Sequence, residues 1–294
     1  MGSSPLQPCS GQGVEAPDGP DARDRAETVS RLRAAGCVFA EQEADLLHAA
    51  AASGEGLEAL IGRRVAGEPL ELVLGWAEFG GRRILTAPRV FVPRRRTELL
   101  LDHSLQRLPQ GGALLDLCCG TGALGAVVAA RSPDARVHCA DLDPAATRCA
   151  ASNLAAVGAA VTGRVHTGDL FVALPQGLRF DVIAANTPYV PSDMIAMLPP
   201  EARDHEPRPA LDGGTDGLDI ARRVIDGARA VLRPGGWVLI ECTPQQAETL
   251  TVHAKARGFG EVVARGADVS PSGSTELSDD ESPYAGTVTF EARR

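Results

Sequence analysis

Aromatic residues, lysine and long hydrophobic runs are all scarce in this chain of 294 residues. Aromatic residues make up only 4% of the sequence, so Ala, Leu and Val must supply most of the core from the 44% of residues that are hydrophobic. No hydrophobic run is long enough to cross a bilayer, and no positively charged segment precedes a hydrophobic one near the first residue. We therefore expect a soluble, cytoplasmic protein that does not act at a membrane.

The chain also lacks the excess of basic residues that is typical of proteins that bind nucleic acids. Lys255 is the only lysine, and 38 acidic residues against 29 basic ones give a formal charge of −9. Because contacts between basic side chains and phosphates supply much of the affinity for nucleic acids, we expect no direct nucleic-acid partner.

Paired cysteine motifs are absent as well. The seven cysteines include no Cys-x-x-Cys pair, and an odd number does not suit a disulfide framework. Cys118 and Cys119 are adjacent at the end of a predicted strand, where packing of small residues explains them better than metal or redox chemistry. We expect reduced thiols and no metal site.

Composition and periodicity divide the chain into three segments. Residues 1–24 are rich in Gly, Pro, Ser, Asp and Gln, which predicts a disordered tail. Residues 25–85 show helical spacing of apolar residues followed by strand-like pieces at 70–74 and 83–86, which predicts an N-terminal helical substrate-recognition domain and a β linker. Residues 86–294 form the third segment, a domain in which strands and helices alternate.

This alternation is clearest after residue 111. The predicted strands are 113–117, 137–141, 164–166, 180–185 and 237–241, with two weaker ones near 260–265 and 286–291. The predicted helices are 123–131, 144–157, 218–232 and 245–256. Strands that alternate with helices predict an α/β fold with a parallel sheet covered on both faces.

A glycine-rich turn follows the first strand of this series. Residues 116–122 are Asp-Leu-Cys-Cys-Gly-Thr-Gly, and glycines allow a ligand to approach the backbone at the start of the next helix. Asp141 ends the next strand, where a carboxylate can accept both hydroxyls of a ribose. Because residues 120–125 also fit Gly-x-Gly-x-x-Gly, the pattern suits a dinucleotide as well as S-adenosylmethionine.

The most informative motif is Asn186-Thr187-Pro188-Tyr189, directly after the buried strand 180–185. Open α/β sheets bind their ligands at this carboxyl edge. The side chain of Asn186 offers a neutral carbonyl, and the main-chain carbonyl of Thr187 is kept out of a helix by the proline that follows. Two such acceptors suit an NH2 group, which indicates a nitrogen as the reacting atom and favours a methyl donor over NAD.

The order of these motifs resembles that of the protein-(glutamine-N5) methyltransferases, the HemK/PrmC family that modifies peptide-chain release factors. The resemblance extends from about Arg64 to Gln246, and its segments are 68–70, 91–94, 97–100, 116–122, 140–144, 168–171, 186–189, 206–207 and 213–218. It implies a Rossmann-like, class I S-adenosylmethionine-dependent methyltransferase with a mostly parallel seven-stranded sheet and a small N-terminal helical domain.

The same resemblance implies roles for individual residues. S-adenosylmethionine would be bound by Cys118, Cys119, Gly120, Thr121, Gly122, Asp141, Asp169, Leu170 and Asn186, with Asp169 and Leu170 beside its adenine. The substrate amide would be bound by Asn186, Thr187, Pro188 and Tyr189, of which Asn186 and Tyr189 are the expected catalytic residues. The implied substrate is a protein, such as a release factor or another translation protein, that presents a glutamine in an exposed loop to a monomeric enzyme.

Two departures from the family pattern bear on the substrate. Thr187 stands where the family usually has proline, as in a related subgroup with Asn-Thr-Pro-Tyr, and Arg94-Arg95-Arg96 replaces the usual Arg-Pro-Glu. The main-chain carbonyl of Thr187 survives the first change. Methylation of an exocyclic amine of a nucleic-acid base stays open as an alternative, and so does an NAD-binding oxidoreductase.

Overall fold

The structure is a computed structural model, and it divides into two compact units. It describes residues 20–52, 56–159, 164–266 and 286–294. The units are Met1–Gly67 and Glu68–Arg294. The domain boundary after residue 85 stays a prediction, and residues 1–19 of the predicted disordered tail lie outside the described residues.

The first unit contains three helices: α1 (Pro20–Ala34), α2 (Ala40–Ala51) and α3 (Leu57–Val65). Helix α1 begins inside the segment 1–24 that we expect to be disordered, because a proline is compatible with the first turn of a helix. Apolar side chains fill the interior of the unit: Leu32, Ala44, Leu47, Leu60 and Ile61. The buried guanidinium of Arg64 joins α3 to α2 by donating from Nε to Oε2 of Glu43 over 2.6 Å.

The second unit opens with α4 (Leu70–Leu74), the hairpin of β1 (Trp76–Phe79) and β2 (Arg82–Leu85), and α5 (Glu98–Arg107). The prediction of a strand at 70–74 is wrong. A five-residue run of mostly apolar residues does not distinguish a strand from a short helix. The helix ends at Gly75, whose φ of 77° gives the left-handed conformation that often follows a helix.

The rest of the unit alternates strands and helices. Its elements are β3 (Ala113–Leu117), α6 (Ala123–Arg131), β4 (Arg136–Asp141), α7 (Pro144–Ala156), β5 (Val165–Thr167), β6 (Phe180–Ala185), α8 (Pro200–His205), α9 (Asp219–Val231), β7 (Leu232–Cys242), α10 (Pro244–Ala256), β8 (Glu261–Arg265) and β9 (Val288–Arg293). The seven-stranded sheet has the order β5-β4-β3-β6-β7-β9-β8, in which β9 is antiparallel to both neighbours. The predicted α/β fold with a mostly parallel sheet is confirmed.

Both faces of the central strands are buried. Leu115 and Leu117 of β3 lie in one apolar cluster with residues of α9 and α10, whereas Leu114 lies in a second cluster with residues of α5, α6 and α7. This explains why the central strands are continuous hydrophobic runs, as expected for a covered parallel sheet. No helix among the described residues is both long and apolar enough to span a bilayer.

Strand β7 is longer than its predicted range, 237–241. Phe180 pairs with Leu232 and Val182 pairs with Trp237, so residues 233–236 are accommodated opposite a single residue of β6. Strands β3, β4, β6 and β7 are parallel, so their carboxyl ends share one edge of the sheet. The loops that follow them therefore converge on one place.

Candidate functional site

A cleft of about 740 Å³ lies at this edge of the second unit. Of the residues predicted from the sequence, those that line it are Cys118, Cys119, Gly120, Thr121, Asp141, Asp169, Leu170, Asn186, Thr187, Pro188 and Tyr189. Gly122 is the predicted residue that does not line it. The structure thus brings the predicted residues into one cavity, and their individual roles stay proposals.

The glycine-rich loop has an unusual backbone. Cys118, Gly120 and Gly122 have φ values of 58°, 53° and 70°, which lie in the left-handed region. At Gly122 a Cβ would lie 2.6 Å from Cβ of Ala150 in α7, so only glycine allows α7 to pack this closely. Gly122 therefore supports the loop from behind and does not contact the cleft.

Asp116 is a residue of the cleft that the sequence analysis did not single out. Its Oδ2 accepts the N–H of Gly125 over 2.9 Å, which joins the end of β3 to the first turn of α6. Burial, together with the charge of Asp141, raises the pKa of Asp116 to about 8. The signal in the sequence was an acidic residue inside an otherwise apolar strand.

Asp141 ends β4 with its carboxylate held by the backbone. Its Oδ2 accepts the N–H of Gly120 and its Oδ1 accepts the N–H of Asp143, both over 2.9 Å. Burial raises the pKa of Asp141, and these amides oppose that effect. A carboxylate has about four acceptor positions, so roughly two remain for the hydroxyls of a ribose.

Asp169 and Leu170 follow β5 and line the same cleft. The carboxylate of Asp169 accepts from Nη2 of Arg223 in α9 over 2.6 Å, and both side chains are half-exposed. Leu170 has a φ of 46° and packs against the apolar core. The carboxylate of Asp169, which we expect beside an adenine, is thus paired with Arg223. The sequence analysis missed Arg223.

Asn186 follows β6, and its side chain is bound by a residue of the segment that precedes α5. Its Nδ2 donates to Oγ1 of Thr97 over 3.2 Å, which leaves its Oδ1 as an available acceptor. Thr187 is 2% exposed, and none of the described residues donates a hydrogen bond to its main-chain carbonyl. Two neutral oxygens at the end of β6 are therefore not used by the fold.

Tyr189 is partly buried at the far end of the motif. Its main-chain oxygen accepts from Nε2 of Gln246 over 2.8 Å, and the guanidinium of Arg96 lies 5.9 Å from its ring centre. Burial, and then the charge of Glu241, raises the pKa of its phenol. The hydroxyl is therefore protonated at neutral pH and cannot serve as an anionic base.

Two buried glutamates, Glu206 and Glu241, form ion pairs with two of the three consecutive arginines. Glu206 accepts from Nη2 of Arg94 over 2.6 Å and from the N–H of Val92 over 3.3 Å. Oε1 of Glu241, at the end of β7, lies 3.6 Å from Nε of Arg96. Arg94 and Arg96 thus act partly as counter-charges within the cleft wall.

The lining of the cleft is more apolar than polar, and its described residues form no metal centre. No cluster of three or more metal-binding side chains occurs within the described ranges, and the six cysteines in them are free thiols. Burial raises the pKa of the Cys118 thiol, so it is not an activated nucleophile. Hydrogen-bond acceptors, not ions or thiolates, dominate the predicted residues.

The sheet order, the glycine-rich loop after β3 and the acidic residue that ends β4 together define a class I methyltransferase. A family model described as the methyltransferase small domain matches residues 82–197. Among solved structures, a methyltransferase from Pyrococcus furiosus is similar in fold, with a TM-score of 0.50 and 18% identity over 73% of this chain and 89% of that chain.

Curated relatives identify the family. The release factor glutamine methyltransferase of Geobacter sulfurreducens is 40% identical over 68% of this chain and 69% of its own length. That of Moorella thermoacetica is 38% identical over 71% of this chain and 74% of its own length. The chain belongs to the release factor glutamine methyltransferase family.

Proposed function

We propose that this protein transfers a methyl group from S-adenosylmethionine to the N5 nitrogen of a glutamine side chain in a protein substrate. The relatives described above are named for release factors, which supports a peptide-chain release factor as that substrate. The observation that carries the proposal is the orientation of Asn186, whose amide nitrogen is bound by Thr97 so that its oxygen remains for an incoming N–H.

One half of the cleft, here called the glycine-rich half, consists of Cys118–Gly122, Asp141, Asp169 and Leu170. Its residues fit the cofactor. Asp141 keeps acceptor capacity for two ribose hydroxyls after binding the amides of Gly120 and Asp143. The left-handed loop at Cys118–Gly122 leaves the backbone close to the cleft, and Leu170 offers an apolar surface beside Asp169 for an adenine. When bound, S-adenosylmethionine supplies an electrophilic methyl group on a positively charged sulfur.

The reacting nitrogen needs help, because the lone pair of an amide is delocalised; the same resonance gives a rotation barrier of roughly 18–20 kcal/mol. The side-chain oxygen of Asn186 and the main-chain oxygen of Thr187 each accept one N–H of the glutamine amide. This polarises both N–H bonds and fixes the direction of the nitrogen. Positioning of this kind contributes about 7–11 kcal/mol in favourable cases.

The remaining residues of the motif shape the site. Pro188 fixes the turn that presents the carbonyl of Thr187. Tyr189, which stays protonated, forms a wall beside the amide and takes no proton. The amide nitrogen loses its proton to water after the new N–C bond has formed, so no side chain has to act as a base.

The proposal extends to the partner and the setting. The enzyme acts as a cytoplasmic monomer on a glutamine in an exposed loop, with the N-terminal helices helping to recognise the substrate protein. The formal charge of −9 favours a protein over a nucleic acid as the substrate. No observation of this structure favours NAD or an exocyclic base amine.

The test is transfer of a labelled methyl group into release factors purified from cells that lack this enzyme, followed by mass spectrometry. We expect one added methyl group on the side-chain nitrogen of one glutamine. A parallel calorimetric titration compares S-adenosylmethionine with NAD. Label in RNA or DNA but not in protein, or binding of NAD without binding of S-adenosylmethionine, would refute the proposal.

A further inference from the structure

Gln246 lies in the first turn of α10 and is buried, and it contacts the Asn186–Tyr189 motif without lining the cleft. Its Nε2 donates to the main-chain oxygen of Tyr189 over 2.8 Å and to that of Asp216 over 3.3 Å. Its Oε1 accepts the N–H of Thr243 over 3.1 Å. A carbonyl only accepts hydrogen bonds and an N–H only donates them, so all three contacts require the same orientation of the Gln246 amide.

The start of α10 holds Gln246 in place. Thr243 is the residue before the helix, and its Oγ1 accepts the N–H of Gln246 over 3.3 Å. Together with the bond from the Thr243 N–H to the Gln246 side chain, this makes a capping box, which satisfies free amides at the start of a helix. Thr243 directly follows β7, which pairs with β6 in parallel. Gln246 therefore reaches the motif from the end of the neighbouring strand.

The segment Gly213–Gly217 packs against the main chain of the same motif. Gly217 has a φ of 74°, and a Cβ there would overlap the main-chain oxygen of Tyr189. At Gly213 a Cβ would lie 2.5 Å from the main-chain oxygen of Pro188. The segment thus approaches the motif more closely than a residue with a side chain would allow at these two positions.

The carbonyls of the motif are not equally bound. That of Tyr189 is bound by Gln246, whereas that of Thr187 receives no hydrogen bond from the described residues. Pro188, which lies between them, has a φ fixed by its ring, so few rotations separate the two carbonyls. Binding of the Tyr189 carbonyl therefore limits the directions in which the Thr187 carbonyl can point.

We propose that Gln246 and the segment Gly213–Gly217 form a clamp on the motif that directs the main-chain oxygen of Thr187 at the substrate amide. The inference rests on the proposed function and adds Gln246 to it as a positioning residue, which touches neither substrate nor cofactor. Without the Nε2 donor, the carbonyl of Tyr189 loses a partner and the motif takes up other backbone conformations. The substrate amide is then bound less often in the reactive orientation.

Two substitutions separate the clamp from the helix start. Gln246→Glu keeps an acceptor for the N–H of Thr243, since glutamate completes a capping box as glutamine does. It replaces the donor to Tyr189 by a carboxylate oxygen, whose ionised form is favoured at a helix start. Gln246→Met removes both the donor and the acceptor. Gln245→Glu and Gln245→Met are the matched controls, because Gln245 is an exposed neighbour that does not line the cleft.

The first measurement is kcat for methyl transfer to the release factor, at a temperature where every variant is folded. We expect kcat to fall by about 10-fold or more in both Gln246 variants, the effect of losing roughly one hydrogen bond. Affinity for S-adenosylmethionine, measured by calorimetry, should change little. The melting temperature should fall further in Gln246→Met, because only this variant loses the capping box. Both Gln245 controls should match the unchanged protein.

The second measurement does not depend on activity. The N–H groups of Val190, Ser192 and Gly213 form main-chain hydrogen bonds that join the chain after Tyr189 to the segment 211–214. Hydrogen exchange of the protein alone, followed by mass spectrometry, reports how often these bonds open. We expect exchange in peptides that cover residues 190–213 to become about 10-fold faster in both Gln246 variants and to stay unchanged in the controls.

The outcomes separate the two ideas. If the unchanged protein transfers no methyl group to glutamine, the proposed function fails and the role of the clamp fails with it. If the unchanged protein is active and both Gln246 variants keep its kcat, only the clamp is overturned, even where exchange is faster. Full activity in a folded Gln246→Glu with a loss in Gln246→Met would assign Gln246 to capping α10 alone and would also overturn the clamp. If Gln246→Glu does not fold, kcat and exchange in Gln246→Met decide.

Discussion

The glycine-rich half of the cleft and the Asn186 half differ in what holds their polar groups in place. Around Asp141 the partners are backbone amides, 2 and 21 residues away in the chain. Around Asn186 the partner is the side chain of Thr97, which is 89 residues away. Asp141 is thus held by backbone groups at the ends of two neighbouring strands, whereas Asn186 is held by a side chain from a distant segment.

The difference has a chemical reason. A nucleoside is bound mainly through hydroxyls and an apolar ring, and backbone groups with one carboxylate suffice for that. An amide that must react at nitrogen needs acceptors of defined direction, and side-chain oxygens acquire a direction only when other side chains constrain them. Substitutions in the two halves should therefore affect different measurements.

The largest effect is expected in the Asn186 half. Asn186→Ala removes one of the two acceptors for the substrate amide, so kcat should fall by about 100- to 1000-fold, as when one preorganised hydrogen bond to a transition state is lost. Affinity for S-adenosylmethionine should change far less. The measurements are labelled-methyl transfer and calorimetry, and a variant with unchanged kcat would contradict the assigned role.

Substitutions in the glycine-rich half should change the affinity for S-adenosylmethionine. Asp141→Ala removes the acceptor for ribose hydroxyls and leaves the N–H of Gly120 without its partner, so affinity for S-adenosylmethionine should fall by about 10- to 100-fold. Isothermal titration measures it. Asp226→Ala, which removes a surface carboxylate of α9 that pairs with His253 and Arg257, is the control. Equal affinity in Asp141→Ala and the control would rule out the ribose contact.

Two glycine-to-alanine substitutions compare the room for an added Cβ atom in different parts of the chain. At Gly125 a Cβ would lie 2.6 Å from Sγ of Cys139, so Gly125→Ala should destabilise the second unit by about 1–3 kcal/mol through overpacking. At Gly62, inside α3, nothing lies within 4 Å of the added Cβ, and Gly62→Ala should stabilise its helix by about 0.5–1 kcal/mol. Urea denaturation followed by circular dichroism measures both. We expect the two substitutions to change the free energy of unfolding with opposite signs. An unchanged free energy of unfolding in Gly125→Ala would mean that α6 can move away from β4.

The last prediction concerns the pH dependence of stability and Asp116. Its pKa is raised to about 8 in the folded protein, so the folded state binds a proton that the unfolded state releases at lower pH. Its contribution to stability is therefore lost as pH rises from the unfolded value toward 8, by up to about 1.36 kcal/mol per pH unit. Asp116→Asn keeps an acceptor for Gly125 and should flatten this slope. Denaturant midpoints between pH 5 and pH 8 measure it, and identical slopes would show that the carboxyl titrates normally.

The contrast between the halves also explains what the sequence could predict. The alternation of strands and helices, the loop at Cys118–Gly122 and the position of Asp141 follow from residues that are close in the chain, and patterns detect such contacts. The motif at Asn186 was recognisable because it directly follows a buried strand. Its supporting residue, Thr97, gave no local signal because its partner Asn186 lies 89 positions away in the chain.

The same limit applies to Arg94 and Glu206, whose contact joins residues 112 positions apart. A cation in a sequence does not reveal whether an anion meets it in the fold, so the role of the three consecutive arginines could not be predicted. The error at 70–74 has another cause. Five residues are too few to separate the periods of a helix and a strand, and the left-handed glycine after them decided the outcome.

The pairing of Arg94 and Arg96 with interior carboxylates has a consequence for how substrates arrive. Two of the three consecutive arginines are offset by neighbouring negative charges, so their long-range attraction for phosphates is largely cancelled. Arg94 and Arg96 should therefore add little to the dependence of the encounter rate on ionic strength, which stopped-flow measurements at rising salt concentration can follow. The substrate is then selected at Arg94–Arg96 after contact, through shape and hydrogen bonding.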